Sequence, residues 1–207
     1  MQKVKPYTKI NEALLSLDNG GRFYNLFTKA KDGVISQAEL GKIGGIFNDK
    51  QKMILFLELS LSKLTATEKE IILKKLDEKL KIDYLKYKPQ NLLPSEVIEK
   101  SVLSSNIILT GIPKLIDSKS DFKGFIMIPI MTGKVMTFSM IPIIENYDVY
   151  ELKNEESSET FIIAHSKSSD KLPNKKIVIA GVLKELEKDK NGNKKTFLEA
   201  IYLIEDK

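Results

Sequence analysis

Apolar residues recur every three or four positions through the first hundred residues, and from about residue 106 they recur every two. The longer period lines up one face of a helix, whereas the shorter one belongs to a strand. Residues 8–100 therefore read as helical. Ile10, Ala13, Leu14 and Leu17 make a first stripe, ended by Gly20-Gly21, a pair suited to a helix C-terminus. Phe23, Phe27 and Ala30 make a second. Ser36 with Glu39, three residues on, spells a capping box at the start of a further helix, and Thr67 with Glu70 spells another. Residues 49–64 (DKQKMILFLELSLSKL) are the most apolar stretch of this half and predict its central buried helix. After Thr67, residues Ile71, Ile72, Leu76 and Leu80 alternate with charges, as on an amphipathic surface helix. The prolines of YKPQNLLPSE (87–96) mark a boundary, and PSEVIEKSVL predicts a short helix after it.

The second half reads as strands. NIILTGIPKLI (106–116) is apolar and β-branched, and it either joins a C-terminal sheet or pairs with the helical half. FKGFIMIPIMTGKVMTFSMIPII (122–144) reads as one long coiled strand with Gly124 and Gly133 at bends. YDVYELK, ETFIIAHS, KKIVIAGVLKELE and KTFLEAIYLIE follow, the last two joined across Asn191-Gly192, a strong hairpin signal. The expected fold class is α+β, with an all-helical domain over 1–95 followed by a small β-barrel domain over 104–207. The segments FKG, MTGKV, YDVYEL, LPNKK and IAGVLKE, spread over 121–206, together resemble an OB-fold of the tRNA-anticodon-binding type. That resemblance implies a binding surface on the second and third barrel strands, flanked by variable loops, and no reactive centre. It would draw on YDVYELK and TFIIAHS, with the loops NEESSE and KDKNGNKK beside them.

Charge alters this picture only slightly. Net charge is +5, but residues 1–100 hold 18 basic against 13 acidic residues, whereas residues 101–207 hold 15 of each. Only Arg22 is an arginine, so the bidentate reader of phosphates and base edges is nearly lacking. The abundance of Lys, Ile and Asn matches the codon bias of an AT-rich genome. A single-stranded nucleic acid needs exposed aromatic platforms with cations along the backbone. The residues that could supply them are Tyr147, Tyr150 and Phe161 with Lys153, Lys194 and Lys195. Alternation puts Tyr147 with Val149 on one face and Tyr150 with Leu152 on the other, so one tyrosine packs inward. Glu151, Glu155, Glu156 and Glu159 crowd the same region and repel phosphate.

Other chemistry is sparse. The chain has no cysteine, hence no disulfide and no thiolate metal site, and a reducing compartment fits. His165 is the single histidine, and Ser166 beside it points to the opposite face, so the two make no nucleophile–base pair. No phosphate loop, dinucleotide fingerprint or nucleophile elbow occurs. Residues 28–39 (TKAKDGVISQAE) resemble a degenerate EF-hand loop or a loop of the tellurite-resistance helical domain. Asp32, Ser36 and Glu39 fall at ligand positions, but Thr28 and Ala30 replace the first two ligands. The loop is expected to serve as a helix–turn–helix corner, with no metal and no cofactor. Neither a leader peptide nor a membrane-spanning run is evident, so a cytoplasmic location without membrane contact is expected. The expected function is a non-catalytic binding or adaptor module for a protein partner, with single-stranded nucleic-acid binding as the alternative.

Overall fold

The computed structural model describes residues 1–23, 26–116, 124–132, 135–154, 159–186 and 195–205, leaving out the side chains of 21–23, 26–28, 128–130, 132 and 135. The chain divides into one unit of Lys3–Pro89 and a second made of Met1–Gln2 with Gln90–Lys207. Gly133, Glu155, Glu156, Asn191-Gly192 and Lys194, to which the sequence assigns roles, lie outside the described residues.

From the N-terminus the elements are β1 (Gln2–Lys3), α1 (Ile10–Leu17), β2 (Asn19–Phe23), β3 (Leu26–Ala30), α2 (Gln37–Gly44), α3 (Lys50–Ser60), α4 (Ala66–Lys74) and α5 (Glu78–Tyr87). The unit of Lys3–Pro89 is therefore not all helical. Residues expected to form a second helical stripe pair instead as an antiparallel hairpin, with Asn19 opposite Ala30 and Arg22 opposite Phe27. Gly20 makes the close pairing possible. It sits at φ +53°, and a Cβ there would lie 2.2 Å from the Ala30 nitrogen. Helix α3 is the buried centre as predicted, with Met53 to Leu57 and Leu59 all in the core.

The Ser36–Glu39 capping box forms, but the second box uses Thr65 and Glu68, two residues before the expected pair. The sequence T-A-T-E-K-E offers two overlapping frames of equal local quality, Thr65 with Glu68 and Thr67 with Glu70, and the first is the one that forms. The stretch after this box is two helices, not one. Asp77 caps α5 by accepting from the Leu80 N–H at 2.7 Å. Leu76 leaves the helical path to bridge Ile35, through Ile35 N–H to Lys75 O (2.7 Å) and Asp77 N–H to Ile35 O (2.9 Å).

The second unit adds β4 (Gln90–Leu92), a 3₁₀ turn (Pro94–Glu96), α6 (Val97–Lys100), β5 (Asn106–Leu115), β6 (Phe125–Thr132), β7 (Val135–Pro142), α7 (Ile143–Asn146), β8 (Tyr147–Lys153), β9 (Thr160–Ser166), β10 (Ile177–Leu186) and β11 (Lys195–Glu205). Five of these strands close a barrel in the order β11-β10-β5-β8-β9. The circuit is completed by a parallel seam pairing Ile163 with Leu198 and Ala164 with Glu199. Every other neighbour pair in the ring is antiparallel. This five-stranded closure is compatible with an OB-like barrel. A bulge between Ala180 and Gly181 bends β10 against β11; a Cβ on Gly181 would meet the Glu199 carbonyl at 2.1 Å. The barrel core takes Tyr150, Leu152, Phe161, Ile163, Ile179 and Leu198, with Val97 of α6 packed among them.

The barrel starts earlier than the resemblance over 121–206 implied. Its first strand is β5, the segment whose placement was open between the two halves. The stretch expected to be one long coiled strand is instead the β6–β7 hairpin, a two-stranded sheet of its own inserted between the first and second barrel strands. Apolar residues at nearly every position hid the alternation that would have distinguished one strand from two.

Candidate interaction surface

The β6–β7 hairpin is paired along its whole length, from Phe125 opposite Pro142 to Thr132 opposite Val135. Directly opposed residues share a face, and alternate residues along each strand return to it. Met127, Met131, Met136, Phe138 and Met140 therefore lie on one face, and all five are between 51% and 65% exposed. The opposite face turns Ile126 onto an apolar cluster against the barrel, and the base is tied by Ile143 N–H to Gly124 O at 2.9 Å. Residues 124–144 contain one charge, Lys134. Such an exposed apolar face is uncommon on the surfaces of soluble proteins.

The outer edges of the hairpin are interrupted by proline. Pro129 and Pro142 occupy register positions of the same parity, opposite Phe138 and Phe125. Proline has no N–H, so it fits the ladder only where the N–H would point away from the paired strand. Each outer edge thus lacks a donor, which discourages an added strand.

The outer surface of β8 and β9, the expected ligand face, is partly covered by the chain itself. Val149, Ala164, Leu186 and Phe197 are buried there beneath Ile143 and Ile144 of α7, with Ile116, Ile126, Tyr147 and Ile162 packed around them. Tyr147 meets Phe197 edge-on at 6.1 Å and donates from its hydroxyl to Glu199 Oε1 at 3.2 Å. Burial, with the Glu199 charge second, raises its pKa above the ordinary phenol value. Tyr150 and Phe161 are only 1% and 3% exposed and belong to the barrel core. The Tyr150 hydroxyl accepts from the Leu172 N–H at 3.0 Å, and its ring stacks on His165. Neither ring is available as a stacking platform, because both faces meet protein. Lys153 and Lys195 are exposed, Lys153 at the end of β8 and Lys195 at the start of β11. Among the described residues, the expected aromatic and basic side chains are therefore not gathered into one groove.

In the N-terminal unit Glu39 is buried, and both its oxygens are taken by protein donors: Oε1 by Gly20 N–H at 2.6 Å, Oε2 by Ser36 N–H at 2.9 Å and Ser36 Oγ at 2.8 Å. Asp32 accepts from the Val34 N–H two residues on. Asp18, which sequence reasoning passed over, holds the loop by accepting from the N–H groups of Asp32 (3.2 Å) and Gly33 (2.9 Å). These residues form a braced corner. Among the described residues no three His, Cys, Asp or Glu side chains converge on a metal-sized site. His165 is buried, its Nδ1 3.0 Å from the Ser166 carbonyl, while Ser166 is exposed. No helix of the described residues is long and apolar enough to cross a membrane. No protein-family model matches this sequence, and comparison with curated proteins gives no match.

Proposed function

We propose that this chain is a non-catalytic protein-binding module that engages its partner through the open face of the β6–β7 hairpin. One observation supports the reading above all: Met127, Met131, Met136, Phe138 and Met140 share one exposed, uncharged face, with a proline interrupting the donors of each outer edge. Thioether side chains are polarizable and unbranched, so a methionine surface adapts to an apolar partner without a fixed complementary shape. Completing the burial of five half-exposed side chains contributes on the order of 5 kcal/mol. That offsets much of the cost of association, which argues for a weak, reversible contact. The nucleic-acid alternative has less support, since two of its three aromatic platforms lie in the core and the third is bonded to Glu199.

A photo-crosslinking residue placed at position 138 tests this reading in the native cell. The expected product is a discrete protein adduct, lost when Met131, Met136 and Met140 become serine and retained in Lys153→Glu/Lys195→Glu. A mobility shift with a mixed single-stranded oligonucleotide at low salt, abolished by the two lysine changes and unaffected by the serines, would refute it.

A further inference from the structure

In the unit of Lys3–Pro89, the corner where α4 gives way to α5 faces the loop before α2 across an open groove of about 590 Å³, lined mainly by apolar atoms. Val34 on one wall and Ile71 on the other are 45% and 42% exposed, with Leu76 between them at the floor. The walls are held together by the Ile35–Leu76 bridge and its two backbone hydrogen bonds, so the groove is formed before any ligand arrives. Lys74, Lys75 and Lys81 stand on the rim. Lys81 is neutralised by Glu78 at 2.9 Å, and Asp77 uses one oxygen on the Leu80 N–H. Lys74 and Lys75 form no ion pair with the described residues, and the Lys75 ammonium lies close over Gly33, at the mouth of the groove.

We infer that this groove docks an acidic segment of a protein partner that carries an apolar anchor. The anchor enters between Val34 and Ile71, and its carboxylates meet Lys74 and Lys75. Charge complementarity selects this occupant: Lys74, Lys75 and Lys81 outnumber Asp77 and Glu78 around an apolar slot, in the half of the chain that holds the whole net positive charge. A basic or purely apolar segment would leave both ammonium groups unpaired at the edge of a desolvated contact. The inference rests on this unit alone and stands or falls separately from the hairpin reading.

The test uses the full ¹⁵N-labelled chain and three fluorescent decapeptides: one of Glu, Asp, Leu and Phe with its apolar residues three and four apart, one with lysine replacing the acids, and one with serine replacing Leu and Phe. The acidic apolar peptide is expected to bind and to shift the amides of Val34, Ile71 and Lys75. Affinity should fall at least about tenfold in Lys74→Glu/Lys75→Glu and in Ile71→Ser, and the two control peptides should bind at least as weakly. Amide shifts elsewhere on the chain, equal binding of the lysine peptide, or unchanged affinity in the charge-reversed variant would each overturn the proposal. So would decanoate shifting Val34 and Ile71 while the peptide does not, which would assign the groove to a small amphiphile. Shift mapping on the unaltered chain keeps the question decidable if a variant fails to fold.

Discussion

Glu39 shows how one buried carboxylate can brace a loop from within. Three donors converge on it, from Gly20 and from the backbone and hydroxyl of Ser36. Glu39→Ala leaves the Gly20 N–H unpaired and removes the box, at an expected cost of about 2–3 kcal/mol by urea titration. Glu39→Gln should cost less, because it keeps an acceptor oxygen. The phenols of the same unit predict its alkaline behaviour. Burial first raises the pKa of both Tyr7 and Tyr84, and at Tyr84 the neighbouring Glu58 charge adds to it. A phenol held above its unfolded value favours the folded state while protonated, so this stability is complete below about pH 10 and is lost as pH rises beyond it. The urea midpoint should therefore fall above that pH, and Tyr7→Phe with Tyr84→Phe should flatten the slope. The Ser36–Glu39 box was legible as S-x-x-E. The role of Asp18 was not, since its partners lie fourteen and fifteen residues away, and sequence spacing carries no signal at that range.

At the scale of elements, the central buried helix and the alternating strands translated well, whereas ambiguous patterns did not. α3 emerged where the sequence was most apolar, and Leu57→Ala in its centre should cost about 2–5 kcal/mol, because that side chain is fully buried. The α4–α5 break escaped prediction because helical spacing carries on across Leu76, while the bridge that interrupts it depends on Ile35, forty-one residues earlier. Asp77→Ala should weaken α5 by about 1 kcal/mol, read as a lower melting temperature with helix content otherwise retained. The hairpin at 19–30 failed for a related reason: Gly20 looked like a helix stop, whereas its missing side chain admits the strand of Ala30. In β8 the alternation separated Tyr147 from Tyr150 correctly, but only the closed barrel shows that both faces of that strand are covered.

On the scale of the whole chain, each unit has a core of its own, and a 3–89 fragment is expected to melt cooperatively and keep its helical circular dichroism. A non-cooperative, low-amplitude melt would contradict that. The barrel, by contrast, draws its strands from across 106–205, and its seam between β9 and β11 joins residues thirty-five apart in sequence through only two register pairs. The α+β class and the five strands of the barrel could be read from periodicity; which strands closed the ring could not, because registers are set by partners distant in the chain. The hairpin face has one further chemical consequence. Four of its five exposed side chains are thioethers, which peroxide converts to sulfoxides, each a polar, chiral group in place of an apolar one. Mild oxidation should thus turn this patch hydrophilic while the barrel stays folded, and a methionine sulfoxide reductase should reverse the change.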